Sequence, residues 1–152
     1  IGQLFVEKSF NCACEGKFDN ALLLSGMFKA IVDKELISVS LIEEAMLHIS
    51  KNLSDMMIDS PRAVEVLAGI VARLAIAGVF NLKLCAEPEF LLEEARIHRK
   101  FSDYLVKHLS AAAEDIKKVL ADQDVSVSAL LRVDEGEGLS ARLEELSLAS
   151  IL

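Results

Sequence analysis

Asp55 and Asp59, followed directly by Ser60, Pro61 and Arg62, are the residues of this sequence best placed to act on another molecule. Two carboxylates held at fixed positions beside a helix N-terminus suit a cationic surface, because an ionised carboxylate pairs strongly with the planar fork of arginine. Other chemistry finds less support. His48, His98 and His108 lack the i, i+4 spacing of a helical zinc pair. Cys12, Cys14 and Cys85 are odd in number and form no CxxC, so they indicate neither a disulfide framework nor a zinc site. Glu93, Glu94, Glu144 and Glu145 read as solvated helix faces, not as paired catalytic carboxylates. No nucleophile–base pair or phosphate loop appears either, and the chain is read as non-enzymatic, with no metal and no cofactor.

The elements that must hold the two aspartates are a pair of helices. Leu41, Ile42, Ala45, Met46, Ile49 and Leu53 recur at intervals of three and four and lay one apolar stripe on the first helix. Ser40 is the expected start, with Glu43 completing a capping box. Ser60 is then placed to cap the next helix and Pro61 to occupy its first turn, where no N–H is missed. Val64, Leu67, Ala68, Val71, Leu74 and Ala75 form one side of that second helix, and Gly78 is its expected stop. Met46, Met56 and Met57 read as core filling.

Composition narrows the class. The 152 residues are 53% hydrophobic, with mean hydropathy +0.39, yet charge interrupts every apolar run before the roughly 18 to 20 residues that a membrane span needs. Two prolines, no tryptophan and few β-branched clusters favour an all-α fold of antiparallel helix pairs stacked on one another. Sixteen basic against twenty-four acidic residues leave a net charge of −8, which opposes direct nucleic-acid binding and favours a basic protein partner. Free cysteines suit a reducing compartment, cytoplasmic or nuclear. The chain opens on Ile1 and is read as a fragment.

In order, residues 2–14 read as a short helix with Ile1, Leu4, Phe5 and Cys12 on one side, and Glu15-Gly16-Lys17 as a break. Residues 21–32 carry Leu22, Leu23, Leu24, Met27, Phe28, Ile31 and Val32, apolar around most of the circumference, and are expected at the centre. From Pro88 a helical period runs to about Leu120, with Ser102 and Asp103 the expected division. Residues 122–128 read as a joint, residues 134–138 as a flexible turn, and residues 140–152 as a last amphipathic helix with Leu143, Leu146 and Ile151. That helix has no assigned packing partner, which suggests self-association through it.

At the helix pair the sequence resembles a known family. Leu36-Ile-Ser-Val-Ser40, Asn52-Leu-Ser-Asp-Met-Met-Ile-Asp-Ser-Pro-Arg-Ala63 and Val71-Ala-Arg-Leu-Ala75 are similar, in order and across residues 18–80, to the second half of an MA-3 domain. This is the HEAT-like helical module of programmed cell death protein 4 and of initiation factor 4G scaffolds. The resemblance implies an α–α superhelix in which residues 1–84 are partial MA-3-like layers and residues 85–152 complete or extend the same domain. The family's first helical hairpin would precede Ile1, and residues 88–152 match no family motif. It further implies a module of translational control that docks on the DEAD-box RNA helicase initiation factor 4A and inhibits it. The family's two acidic contact positions fall on Asp55 and Asp59. The alternative function is a general helical scaffold or adaptor, of the initiation factor 4G kind or from splicing or ribosome assembly, that binds a different protein.

Overall fold

The computed structural model describes residues 2–15, 19–88, 90 and 95–151. Ile1, Gly16, Lys17, Glu93 and Glu94, which entered the sequence reading, lie outside the described residues. Among those described, the fold is all-α, with ten α-helices and no strand. They are α1 (Gly2–Glu15), α2 (Asp19–Asp33), α3 (Val39–Lys51), α4 (Leu53–Asp59), α5 (Ala63–Ile76), α6 (Lys83–Ala86), α7 (Ala95–Ala112), α8 (Ile116–Asp122), α9 (Val127–Leu131) and α10 (Glu137–Glu145), followed by a single 3-10 turn at Ala149–Ile151. No helix among the described residues is long and apolar enough to cross a membrane.

The centre of the molecule is α5. Eleven of its residues are buried, from Ala63 and Val64 through Leu67, Ile70 and Val71 to Leu74 and Ala75. A helix apolar on all sides must be covered on all sides, and α7, α2, α1 and α4 supply that cover. The frequent alanines and Gly69 keep its surface shallow, so neighbouring helices approach closely. At its end Gly78 adopts φ +78°, the Val79 N–H donates to the Leu74 carbonyl at 3.0 Å, and the Gly78 N–H to the Ala75 carbonyl at 3.0 Å. These two bonds satisfy carbonyls that the helix end leaves open, and the left-handed residue they require costs glycine little.

The central place expected for α2 therefore belongs to α5. Leu24 and Phe28 fix α2 to the core, while Leu22 and Leu23 stay exposed, Leu23 at 70%. On α1 the buried stripe is Val6, Phe10 and Ala13, while Leu4 and Cys12 point outward and the exposed Phe5 meets Phe28 edge-on. Both stripes have helical spacing; packing of α1 against α3 selects the one centred on Phe10. A continuous core then runs from Val6 to Leu130, and Val106, Leu131, Leu143 and Ile151 form a smaller cluster beside it.

Several helix boundaries differ from those read in the sequence. Helix α3 starts after Ser38, not Ser40: the Ser38 Oγ accepts the Leu41 N–H at 3.2 Å, and Glu43 instead accepts the N–H of Asn81 at 3.0 Å. Helix α7 runs unbroken through Ser102 and Asp103, because both find side-chain partners, His98 and Arg142, without leaving the helix. The break falls at residues 113–115, where Asp115 Oδ1 accepts the N–H groups of Lys117 at 3.0 Å and Lys118 at 3.2 Å and caps α8. The last amphipathic segment is α10 plus the 3-10 turn. Its Leu143 and Ile151 are buried against the same chain, so the face that suggested self-association is covered from within.

Candidate functional site: the acidic corner

The first helix of the expected pair is two helices. Asn52 ends α3, its N–H donating to the Ile49 carbonyl at 3.1 Å and its side-chain amide to the His48 carbonyl at 2.9 Å. The chain restarts at once as α4, fastened by the fully buried Leu53. Seven residues later Ser60 leaves the helix at φ −130°, ψ 81°, and its N–H still closes on the Met56 carbonyl at 2.9 Å.

Ser60 does not cap α5 with its hydroxyl, as its type suggests. Its main-chain carbonyl accepts the Ala63 N–H at 2.9 Å, and the N-cap residue is Arg62, which makes no side-chain cap bond. Pro61 and Arg62 form the turn before the helix and do not enter it. Arg62 is exposed, and its Nε donates to Glu65 Oε2 at 3.2 Å, one turn into α5. The corner's one cation is thereby committed to Glu65 and leaves the aspartates alone.

Asp55 sits in the first turn of α4 and Asp59 is its last residue. Four positions apart, they lie on one face of a helix. Both are exposed, and neither makes a hydrogen bond or ion pair among the described residues. Asp59 therefore closes α4 and does not open α5, so it faces the negative end of a helix dipole. Like charges at this spacing also repel, by a few tenths of a kcal/mol. Ile58 stands between them in sequence and is 79% exposed, the highest value among the large apolar side chains described. Periodicity alone missed Ile58, because Leu53 appeared to end a single stripe; the polar Asn52 was the available signal that the register restarts.

His98, His108 and Cys85 sit in structural settings. His98 is 4% exposed, its Nδ1 lies 3.2 Å from Ser102 Oγ, and burial, aided by the Arg132 charge, lowers its pKa to about 4 against a weaker opposing effect of the Cys85 backbone. Burial also lowers the pKa of His108, opposed by Glu65 and helped by Arg73. The fully buried Cys85 thiol is pushed far up by desolvation, which makes it a poor nucleophile. Among the described residues no group of three or more His, Cys, Asp or Glu side chains is arranged to hold a metal ion.

No family model, no curated protein and no solved structure matches this chain.

Proposed function

We propose that this chain is a non-enzymatic protein-binding module of translational control, and that its α4–α5 corner docks on the DEAD-box RNA helicase initiation factor 4A and inhibits it. The observation that carries this reading is the state of Asp55 and Asp59: exposed, unpaired and on one face of a helix whose start is anchored by buried Leu53. The MA-3-like motif order of residues 18–80 supplies the partner. Aspartate side chains are short, so on an anchored helix they lose little freedom on meeting arginines, and they form charge-assisted, two-pronged pairs. On a helicase, arginines so engaged are withdrawn from RNA phosphates or from closure of the interdomain cleft. Binding the open form then lowers activity by shifting the population away from the closed, RNA-gripping state.

Ile58 adds an apolar contact beside the charges, which suits a partner surface with a small hydrophobic depression rimmed by basic residues. The test is a titration of the purified helicase with this chain and with the Asp55→Lys, Asp59→Lys double variant. The expected result is a saturable complex that the double variant loses, with RNA-stimulated ATP hydrolysis falling only for the unaltered chain. Absence of a complex at about 50 µM of each protein would remove the helicase from the proposal. Capture of a different protein that tolerates the charge reversal would favour the adaptor function instead.

A further inference from the structure

On a chain with 24 acidic and 16 basic residues, one cleft reverses the balance. It measures about 380 Å³ and lies among the first half of α7, the α9–α10 connection and α10. That volume is within the range of about 300 to 1,000 Å³ that small-molecule sites occupy. Arg99, Arg132 and Arg142 line it, and Glu145 is the one carboxylate among its described lining residues.

The three guanidinium groups differ in how they are held. Arg142 bridges Asp103 on α7 and Glu145, and it is almost covered. Arg99 reaches Glu145 only at 3.5 Å and remains mostly exposed. Arg132 donates from Nη2 to the main-chain carbonyls of Glu87 at 2.8 Å and Phe90 at 3.1 Å. Those two bonds orient the guanidinium without neutralising it. No carboxylate pairs with Arg132 among the described residues, and no hydrogen bond occupies its Nε or Nη1. His98 forms part of the same wall; it is more than nine-tenths buried, with Ser102 and the Cys85 backbone acting on its ring.

We propose that this cleft binds a phosphate-type oxyanion, gripped by Arg132 and Arg99, while Arg142, already paired with Asp103 and Glu145, only shapes the wall beside them. Guanidinium forks match the geometry of phosphate oxygens, and a pre-oriented fork loses less freedom on binding than a mobile lysine. A phosphate dianion suits the cleft better than a single carboxylate, since more than one arginine is in reach. Free phosphate and a phosphorylated side chain share this chemistry. The site is separate from the α4–α5 corner and does not depend on the function proposed for it.

The full chain is titrated by NMR with inorganic phosphate, O-phosphoserine and acetate at constant ionic strength. Saturable shifts at residues of the cleft are expected, with a Kd of about 1 mM or tighter for one of the two phosphate ligands and weaker binding of acetate. Tighter binding of phosphoserine identifies a phosphorylated side chain as the source; tighter binding of inorganic phosphate identifies the free ion. Arg132→Gln should weaken binding about tenfold or more. Because Arg132→Gln also removes two main-chain bonds, Arg99→Glu serves as a second variant on an exposed side chain, checked by circular dichroism and expected to weaken binding several-fold. Absence of saturation by about 10 mM of either phosphate ligand, or binding that survives both variants, overturns the proposal, and acetate binding as tightly as the better phosphate ligand overturns the phosphate assignment.

Discussion

Acid should destabilise this protein chiefly through His98. In the fold the ring is 4% exposed, lies against Ser102 and the Arg132 charge, and has its pKa lowered from 6.5 to about 4. The unfolded chain carries the ordinary histidine value, so between pH 6.5 and about 4 it binds a proton that the folded chain refuses. The stability from keeping His98 neutral is therefore complete above pH 6.5 and is lost as pH falls towards 4. At about 1.4 kcal/mol per pH unit over that interval, the loss approaches 3 kcal/mol, a large share of the roughly 5 to 15 kcal/mol that holds a domain together. His108, half-buried and also lowered, adds in the same direction. Urea unfolding followed by circular dichroism from pH 7.5 to 4 would measure the slope, in the unaltered chain and in His98→Phe. The variant should be weaker at pH 7.5, since Ser102 loses its partner, but its stability should fall less steeply below pH 6.5. Carboxylate titration is common to both proteins and cancels in the comparison. Equal slopes would show that His98 ionises as readily in the fold as outside it, and the burial argument would fail.

Two further substitutions test particular elements. Asp59→Asn removes a negative charge from the end of α4 and a like-charge neighbour of Asp55, so it should raise unfolding stability by roughly 0.5 kcal/mol in urea titration; a loss of stability would mean that Asp59 has a partner in the folded chain. Gln123→Ala should cost about 2 to 3 kcal/mol. That side chain accepts the Leu82 N–H at 2.6 Å and donates to the Ala75 and Phe80 carbonyls at 3.1 Å each, tying the end of α5 to the turn after α8. A cost under about 0.5 kcal/mol would show that water replaces those bonds freely.

What could be read from sequence follows the range of the forces involved. The apolar face of α5 from Val64 to Ala75, its stop at Gly78 and a turn at Glu135 and Gly136 rest on neighbours within a few residues and appear where expected, whereas the burial of the other side of α5 depends on the helices packed around it. Ser38 and Ser40 both stand at the start of the same helix and by type either can cap it; the choice depends on Glu43 meeting Asn81, 38 residues away. Ser102 and Asp103 look like a helix break until Arg142, 39 residues beyond Asp103, takes up the carboxylate. The outward turn of Leu4 and Phe5 was equally out of reach, since two stripes on α1 have the same period and only the packing partner decides between them.

At the corner the same distinction separates position from consequence. Asp55 and Asp59 were legible as acidic residues beside a helix junction, but their cost was not, because it depends on α4 being a helix of its own that ends at Asp59. A chain selected for stability alone would place a lysine or asparagine there, relieving the dipole and the repulsion together. With Arg62 held by Glu65 and Ile58 left uncovered, the corner retains two unpaired charges and an apolar side chain on a short, anchored helix. Strain kept where a simple substitution would remove it is consistent with the proposed docking role of the corner. Its relief on contact with a basic partner then adds to affinity, because the free protein starts from a higher free energy. On that reasoning Asp59→Asn should both stabilise the free protein and weaken its complex, and a variant that gains stability with no loss of binding would detach the strain from the function.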